Sequence, residues 1–252
     1  VERRVVRRAG CVVCSAGLGE HVRRLAPATP VREWRFPARP PVATAEAVAA
    51  LRAGLGLDPS RKIVLYTGNF AGYQGVDLLL DAARRVLASR SDVAFVLVGA
   101  ASEAELRAAR AALEGAPPEG WRVLGRQPRG RVPAFLALAD ILVSPRRWGA
   151  NFPLKLFDYL AVGVPVLATD IPGHRCVLDA RTALLVPPTA EGLAAGVARL
   201  LDEAELARRL GDAARRFADT HLSWAGFERL IADIYATALN QPAALRREEA
   251  LA

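Results

Sequence analysis

The sequence predicts an α/β protein, a doubly wound, Rossmann-like parallel sheet of about six strands. Two patterns indicate this fold class. Apolar runs such as residues 63–67 and 93–98 are continuous rather than alternating, as in strands that are covered on both faces. Between these runs, apolar residues repeat at helical spacing over 76–87. Strands that alternate with helices form parallel βαβ units, whose ligands bind beyond the carboxyl ends of the strands.

Each predicted strand is a short apolar run that ends near a glycine or before a helical repeat. The predicted strands cover residues 63–67, 93–98, 121–124, 141–143, 164–168 and 183–186. The predicted helices cover residues 44–55, 76–87, 102–114, 129–139, 154–162, 191–201, 203–220 and 223–239. The charged tail beyond Pro242 is expected to fray.

The first 42 residues differ from the regular part of the chain. Residues 11–15 predict a short buried strand, and residues 18–25 predict a helix. The prolines that follow predict a linker without regular structure, because proline lacks a backbone N–H and fixes φ. They are Pro27, Pro30, Pro37, Pro40 and Pro41.

The composition excludes several classes of protein. Apolar residues make up 52% of the 252 residues, which excludes a disordered chain. No uncharged apolar run reaches about 18 residues, the length of a membrane span. Three cysteines are too few for a disulfide framework and predict a reduced, cytoplasmic setting. The chain contains no methionine, so we expect it to be a piece of a longer protein.

The net charge of +8 is carried almost entirely by arginine. Only two of the 34 basic residues are lysines, Lys62 and Lys155. Abundant arginine and alanine indicate a GC-rich coding bias, so we interpret most of the charge as a solvated basic surface. The alternative is an anionic partner, such as a nucleotide phosphate or an acidic membrane surface. The arginines follow helices without aromatic residues between them, which argues against nucleic acid as the partner.

The first candidate site is a loop that joins a predicted strand to a predicted helix. Three glycines in this loop let backbone N–H groups approach a ligand, and the start of the helix attracts an anion. The spacing matches neither G-x-G-x-x-G nor a P-loop, so an ordinary tight turn is an equal alternative. The candidate binding residues are Gly68, Asn69, Phe70, Gln74 and Gly75.

The second candidate site surrounds Pro153, which suits the first turn of a helix. Asn151 or Phe152 would then lie near the cap, with free N–H groups pointing outward. Lys155 lies in the first turn, where the helix dipole disfavours a cation by roughly 0.3–1 kcal/mol unless an anion is bound. Asp158 follows on the same helix face, so the alternative is a surface Lys–Asp pair.

The remaining polar candidates carry weaker signals. Cys11 and Cys14 have CxxC spacing without a second pair, so we expect them in a strand core rather than in a metal site. His174 follows a Pro-Gly pair just after a strand and is expected in a surface loop, with a position at the border of the site as the alternative. Asp170 is expected to cap the turn before Pro172. The sequence shows no Ser–His–Asp order and no paired carboxylates.

Both candidate sites fall in motifs of one known family. The motifs are Y-T-G-N-F at 66–70, G-V-D-L-L at 75–79, V-L-V-G at 96–99, A-D-I-L-V-S-P at 139–145, P-L-K-L-F-D-Y-L-A at 153–161, G-V-P-V at 163–166 and L-L-V-P-P at 184–188. Over about 61–239 the chain resembles the C-terminal, donor-nucleotide domain of the GT-B glycosyltransferases of family 4, the glycosyl transferases group 1. The P-L-K helix with the following G-V-P-V is the most specific part of this resemblance.

The resemblance implies transfer of a sugar from a UDP- or GDP-type nucleotide-diphosphate sugar, with retention of anomeric configuration and with no required metal or other cofactor. It implies catalytic roles for Lys155, which would neutralise the pyrophosphate with help from Arg146, and for Asp158, which would contact the donor ribose. It further implies that the helix start assists through Asn151, Phe152, Pro153 and Leu154, and that Gly99 and Arg126 flank the base.

The chain differs from the family pattern at four positions. The family carries two glutamates eight residues apart, and Asp158 stands in place of the second. The first, which holds a hydroxyl of the donor sugar, falls on Ala150. The phosphate-binding Arg and Lys of the family's first loop fall on Asn69 and Gln74.

The resemblance also implies a division of the chain. Residues 1–42 would be a remnant of the N-terminal acceptor domain and its linker, 43–222 the nucleotide-sugar-binding domain, and 223–252 the crossing helix and tail. Most of the N-terminal domain would be missing, so the final helix should expose an apolar patch. The acceptor would be a glycan or a lipid-linked sugar, which allows peripheral contact with the inner face of a membrane.

Two other functions remain open at this stage. A non-catalytic nucleotide-sugar-binding or scaffold module is favoured by the departures at Ala150, Asn69 and Gln74. A sugar-nucleotide epimerase of GT-B architecture would need a carboxylate or histidine constellation that the sequence does not show.

Overall fold

The computed structural model describes residues 2–9, 11–34, 36–38 and 42–239. Within these ranges, no helix has both the length and the apolar composition that a membrane crossing requires. The expected frayed tail beyond Pro242 and the linker residues Pro40 and Pro41 lie outside the described residues.

A small unit precedes the main domain. It consists of helix α1 (Glu2–Arg8), strand β1 (Val12–Ser15), helix α2 (Ala16–Leu25) and strand β2 (Val31–Trp34). β1 and β2 pair in parallel. The predicted absence of regular structure is therefore wrong for β2. Pro30 lies just before this strand, where proline removes no ladder hydrogen bond, and its carbonyl accepts a hydrogen bond from Val12 N at 2.9 Å.

The main domain confirms the predicted fold class. Its strands are β3 (Lys62–Thr67), β4 (Val93–Ala100), β5 (Trp121–Gly125), β6 (Ile141–Ser144), β7 (Val166–Thr169) and β8 (Leu184–Val186). In the described part of the chain they form a single six-stranded, fully parallel sheet in the order β5-β4-β3-β6-β7-β8. The direction of winding reverses between β3 and β6, which makes this pair the topological switch point of the sheet.

Helices cover both faces of the sheet. They are α3 (Ala45–Gly54), α4 (Val76–Leu87), α5 (Glu103–Ala112), α6 (Val132–Leu138), α7 (Lys155–Val162), α8 (Pro172–Arg175), α9 (Ala190–Asp202), α10 (Ala204–His221) and α11 (Trp224–Leu239). Most predicted bounds agree with these within two residues. The helix predicted at 129–139 begins later, because its first turn is a 3₁₀ turn at Arg129–Arg131.

Side-chain capping explains where several helices begin. The hydroxyls of Thr44, Ser102 and Thr189 each accept a hydrogen bond from the backbone amide three residues later, at the starts of α3, α5 and α9. Such a bond satisfies one of the amides that the first turn of a helix leaves without an intrahelical partner.

Successive residues of β3 pack into two separate apolar layers. Ile63 and Leu65 lie in a core with residues of α3, α6 and α7, whereas Val64 and Tyr66 lie in a core with residues of α4 and α9. This alternation places a helix layer on each face of the sheet. It explains why the strands read as continuous apolar runs in the sequence.

Helix α11 exposes apolar surface, as predicted. None of its residues is buried, and Trp224, Tyr235 and Leu239 are exposed. It contacts the N-terminal unit through β2, where Arg32 pairs with Asp233 at 2.6 Å.

The two-layer core makes a direct prediction about stability. Leu97→Ala should lower the free energy of unfolding by about 2–5 kcal/mol, because it removes apolar contacts and leaves a cavity at a fully buried position of β4. Leu239→Ala, at an exposed position of α11, should change it by less than about 0.5 kcal/mol. Urea unfolding would measure both variants, and equal losses would contradict this assignment of the core.

Candidate functional site

The candidate site lies at the switch point of the sheet, where two loops meet. The glycine loop (residues 68–75) connects β3 to α4, and the arginine loop (residues 145–154) connects β6 to α7. Gly75 has a φ of +68°, and a β-carbon at this residue would overlap the carbonyl oxygen of Pro145. Glycine at this position therefore lets the two predicted segments come together.

Two candidate residues of the glycine loop serve the shape of the loop. The Tyr66 hydroxyl donates to the carbonyl oxygen of Asn69 at 2.6 Å, and the amide of Ala71 donates to Asn69 Oδ1 at 3.3 Å. The ring of Phe70 packs against Tyr66, with ring centroids 6.1 Å apart. The Asn69 side chain thus closes a local turn.

Gln74 and Gly99 lie on either side of this loop. The Gln74 side chain is buried, and its Oε1 has no hydrogen-bond partner among the described residues. Gly99 has a φ of +126°, and a β-carbon there would overlap the carbonyl oxygen of Gly68. Arg126, the other predicted base-flanking residue, is exposed just beyond β5 at the same edge of the sheet.

Lys155 is the most unusual residue of the site. It is the first residue of α7, yet its ammonium nitrogen is buried and has no hydrogen-bond partner in the described part of the chain. Nζ lies 4.0 Å from the centroid of the Tyr66 ring. A β-carbon on Gly68 would lie 3.0 Å from Nζ, so glycine leaves room for the ammonium group. The cation thus faces an aromatic ring and the start of the glycine loop.

The expected surface pair between Lys155 and Asp158 does not form, so that alternative is wrong. The Asp158 carboxylate is exposed and forms no ion pair among the described residues, whereas the lysine side chain reaches back toward the end of β3. Side chains of a helix lean toward its N-terminus, which carries the ammonium away from the carboxylate. Partial removal of water raises the pKa of Asp158.

The environment of Lys155 disfavours its positive charge. Burial, with the nearby charge of Arg146 as a second cause, lowers the pKa of Lys155 to about 7. A buried ammonium without a hydrogen-bonding anion is costly, and a neighbouring cation adds repulsion. An anion bound between the two groups would remove both penalties.

Arg146 presents a second cation at the same place. Its Nη1 donates to the carbonyl oxygen of Asn151, and its guanidinium carbon lies 4.8 Å from the centroid of the Tyr73 ring. Its Nε is buried and has no partner among the described residues. The next residue, Arg147, forms an ion pair with Asp77 of α4 and ties the arginine loop to that helix.

The start of α7 differs from the prediction. Leu154 occupies the cap position and makes no side-chain capping bond, so Asn151 and Phe152, predicted near the cap, lie three and two residues before it. The ring of Phe152 is buried against Phe157, with centroids 5.0 Å apart, and this packing delays the helix. Pro153 is buried as well, whereas the Leu154 side chain is exposed.

The sequence analysis missed a tyrosine that joins β3 to α7. The hydroxyl of Tyr159 accepts a hydrogen bond from Thr67 N at 2.9 Å and lies 3.0 Å from Thr67 Oγ1. Burial is the main cause that raises the pKa of Tyr159 to about 12, so this hydroxyl stays neutral. Its position in the P-L-K helix was visible in the sequence, but its partner on β3 was not.

His174 and Asp170 also differ from the predictions. His174 is fully buried in α8 rather than exposed in a loop, with Nε2 2.9 Å from Ser144 Oγ and Nδ1 2.6 Å from the carbonyl oxygen of Thr169. Burial lowers the pKa of His174 to about 4, so the imidazole is neutral. Asp170 forms an ion pair with Arg175 instead of capping the turn.

The cysteines lie near β1 and α8. Cys14 is buried in β1, and Cys11 and Cys176 are half-buried free thiols. Among the described residues, no group of three or more His, Cys, Asp or Glu side chains is arranged to hold a metal ion.

Comparisons with known proteins agree with this architecture. Residues 48–217 match the model of the glycosyl transferases group 1 family. Alpha-D-kanosaminyltransferase of Streptomyces kanamyceticus is 31% identical over 171 residues, which are 65% of this chain and 42% of that protein. Phosphatidyl-myo-inositol mannosyltransferase of Mycolicibacterium smegmatis is 30% identical over 180 residues, which are 70% of this chain and 45% of that protein. The chain thus spans less than half the length of these relatives.

Solved structures share the fold at low identity. Sucrose-phosphate synthase from Thermosynechococcus elongatus superposes with a TM-score of 0.79 at 24% identity, over 96% of this chain and 61% of that one. HepE from Anabaena in complex with UDP-glucose gives a TM-score of 0.78 at 16% identity, over 92% of this chain and 66% of that one. The chain belongs to the glycosyl transferases group 1 family and has the Rossmann-like architecture of the C-terminal half of a GT-B glycosyltransferase.

Proposed function

We propose that this chain is the donor-binding part of a retaining glycosyltransferase. The donor is a UDP- or GDP-type nucleotide-diphosphate sugar, and the acceptor is a glycan or a lipid-linked sugar. One observation carries the proposal: Lys155 Nζ and Arg146 Nε are both buried and both lack hydrogen-bond partners among the described residues. Buried polar atoms are nearly always paired in folded proteins, so two unpaired cationic donors at one switch point indicate a missing anion.

A diphosphate fits the chemistry of these two groups. It carries two negative charges and several acceptor oxygens, which would pair with the ammonium and the guanidinium through charge-assisted hydrogen bonds. As the bond between the anomeric carbon and the diphosphate oxygen breaks, negative charge collects on the leaving group. Lys155 and Arg146 would stabilise that charge without reorganising, because the Tyr66 ring and the arginine loop already hold them in place.

The rest of the donor would extend from the diphosphate along the edge of the sheet that the carboxyl ends of the strands form. Asp158 lies one turn into α7 and is exposed, so its carboxylate is available to accept hydrogen bonds from the ribose hydroxyls. Gly99 and Arg126 follow β4 and β5 along the same edge and would flank the base. One fold neighbour supports such a donor, since HepE was solved in complexes with UDP and with UDP-glucose.

A non-catalytic nucleotide-sugar-binding module is the second candidate. It is favoured by Asn69, whose side chain closes a turn in its own loop, and by Ala150, which lacks a carboxylate. A sugar-transfer assay with radiolabelled UDP-glucose and GDP-mannose distinguishes the transferase from the binding module. Donor binding without transfer to any acceptor would favour the module.

The first prediction concerns affinity for the donor. Lys155→Met should weaken binding of the preferred nucleotide sugar by about 1.5–3 kcal/mol, because it removes a charged hydrogen bond to the diphosphate. Lys62→Met is the matched control, since it removes the chain's other lysine, whose ammonium pairs with Asp140 at 2.9 Å. Calorimetric titration with UDP-glucose and GDP-mannose measures both variants. Equal affinities for Lys155→Met and the unsubstituted chain would contradict the proposal.

The second prediction concerns the uptake of a proton when the donor binds. With a pKa of about 7, Lys155 is largely neutral in the empty site at pH 8. A bound diphosphate favours the charged form, so binding of UDP-glucose at pH 8 should take up about one proton. Titrations in buffers of different ionisation enthalpy measure this uptake. It should fall toward zero at pH 5.5 and be absent in Lys155→Met, and an uptake that survives the substitution would assign the proton to another group.

The third prediction concerns the stability of the empty protein. The unfolded chain holds the lysine proton up to about pH 10.5, whereas the folded chain releases it near pH 7. The free energy of unfolding should therefore rise between these values, by at most about 1.4 kcal/mol per pH unit. Below pH 7 the full penalty of the buried charge remains.

Lys155→Met removes that penalty and tests its sign. The variant should be more stable than the unsubstituted chain at pH 6, and the difference should shrink by pH 9.5. Urea unfolding across this range measures it, with Lys62→Met as the control that keeps the original pH dependence. A variant that is less stable at pH 6 would show that the ammonium is paired in the folded protein.

A further inference from the structure

A buried polar network lies beneath the arginine loop and links two strands to a short helix. Ser144 ends β6, Thr169 ends β7, and His174 lies in α8, and all three side chains are fully buried. The imidazole lies between the other two, with Nε2 2.9 Å from Ser144 Oγ and Nδ1 2.6 Å from the carbonyl oxygen of Thr169. Because the three residues are inaccessible, the Ser144–His174 pair cannot act as a nucleophile and base on a substrate.

The hydrogen bonds fix the tautomer of His174. The carbonyl oxygen of Thr169 can only accept, so Nδ1 must carry the proton. The Thr169 hydroxyl donates its own proton to the carbonyl oxygen of Arg146, so toward Nδ1, 3.2 Å away, it too can only accept. Neutral imidazole then has a lone pair on Nε2, which accepts from the Ser144 hydroxyl. Every donor in the network therefore has an acceptor.

The network ends on the backbone of the arginine loop. Thr169 holds the carbonyl of Arg146, and the amide of Gly173, next to His174, donates to the carbonyl oxygen of Gly149 at 2.8 Å. On the opposite side of the loop, Arg147 N donates to the carbonyl oxygen of Tyr73 at 3.0 Å. The backbone that carries the Arg146 guanidinium is thus fastened from both sides.

We infer that His174 and Thr169 are positioning residues, which hold Arg146 in register with Lys155 so that both cations face the same diphosphate. The inference rests on the proposed function, because it gives these residues a task at that site. Neither side chain touches the ligand. A displacement of about 1 Å in a charged group is enough to lose much of its contribution to binding, so the buried network sets the affinity from a distance.

Two substitutions of His174 separate positioning from simple support of the core. Asn places an amide N–H where Nδ1–H lies and keeps the bond to Thr169, whereas Gln places its amide where Nε2 lies and keeps only the bond to Ser144. Gln fills the buried space better than Asn, so a purely structural role predicts that His174→Asn is the more damaging change. Positioning through Thr169 predicts that His174→Gln binds UDP-glucose about tenfold more weakly than His174→Asn. This order should hold even if His174→Gln has the higher melting temperature of the two variants.

Thr169→Val removes the bond to Arg146 with little change in shape. We expect Thr169→Val to weaken binding of UDP-glucose about tenfold. In the Arg146→Ala background, the same substitution should weaken binding little further. Val197→Ala, at a fully buried position of α9, is the stability control and should lower the melting temperature without changing affinity. Unchanged affinity in Thr169→Val, or losses that simply add in the double variant, would overturn the inference.

A second readout does not depend on any ligand. Trp148 lies in the arginine loop with 60% of its surface exposed, and the chain has three other tryptophans. In protein labelled with 5-fluorotryptophan, Thr169→Val should shift or broaden the ¹⁹F resonance of Trp148, identified by Trp148→Phe, and leave the other three in place. An unmoved Trp148 resonance overturns the positioning role. Failure of the unsubstituted chain to bind any nucleotide sugar, with a shifted resonance, overturns only the proposed donor site.

Discussion

The candidate site depends on one electrostatic constraint, because Lys155 and Arg146 both bring a basic side chain to the switch point of the sheet. Lys155 Nζ is buried against the Tyr66 ring, and Arg146 is near enough to lower its pKa. This arrangement opposes folding, since burial of an unpaired ammonium is unfavourable. The two apolar layers around the sheet supply the stability that tolerates it. Under the proposed function, an anion that binds both groups would offset the free energy lost to desolvation and repulsion, so the same feature would weaken the fold and strengthen the binding of a ligand.

The two cations are attached to different parts of the sheet. Lys155 begins α7 and points to the end of β3, while Arg146 lies in the loop after β6 and packs over Tyr73 in the glycine loop. The close approach of Gly75 to Pro145 joins these parts. A ligand that bridges both cations therefore contacts the two halves of the sheet at the point where they meet. Loops at a switch point can form a rigid site because each loop is anchored in a separate buried strand.

Patterns that are local in the sequence were predictable, and contacts between distant residues were not. The continuous apolar runs gave the sheet, and a rare lysine beside a helix start marked the site. The error at His174 has a physical cause: a Pro-Gly pair resembles a surface turn, but the ring is buried and its hydrogen-bond partner Ser144 lies 30 residues earlier in the chain. Helix periodicity likewise placed Lys155 beside Asp158, because it describes neighbours along one helix and contains no information about the Tyr66 ring.

The choice of lysine at position 155 follows from the same constraint. Arginine is the usual cation of this chain, and lysine occurs only twice among 34 basic residues. Arginine cannot lose its proton in a protein, so it would carry its charge in the empty, desolvated site at every physiological pH. Burial lowers the pKa of Lys155 to about 7, so under the proposed function the lysine would release its proton without a ligand and regain it on binding a diphosphate. Its ammonium nitrogen lies 4.0 Å from the centroid of the Tyr66 ring, and a β-carbon on Gly68 would approach it to 3.0 Å. A titratable cation thus spares the empty protein part of the cost of a charge that only the bound ligand requires.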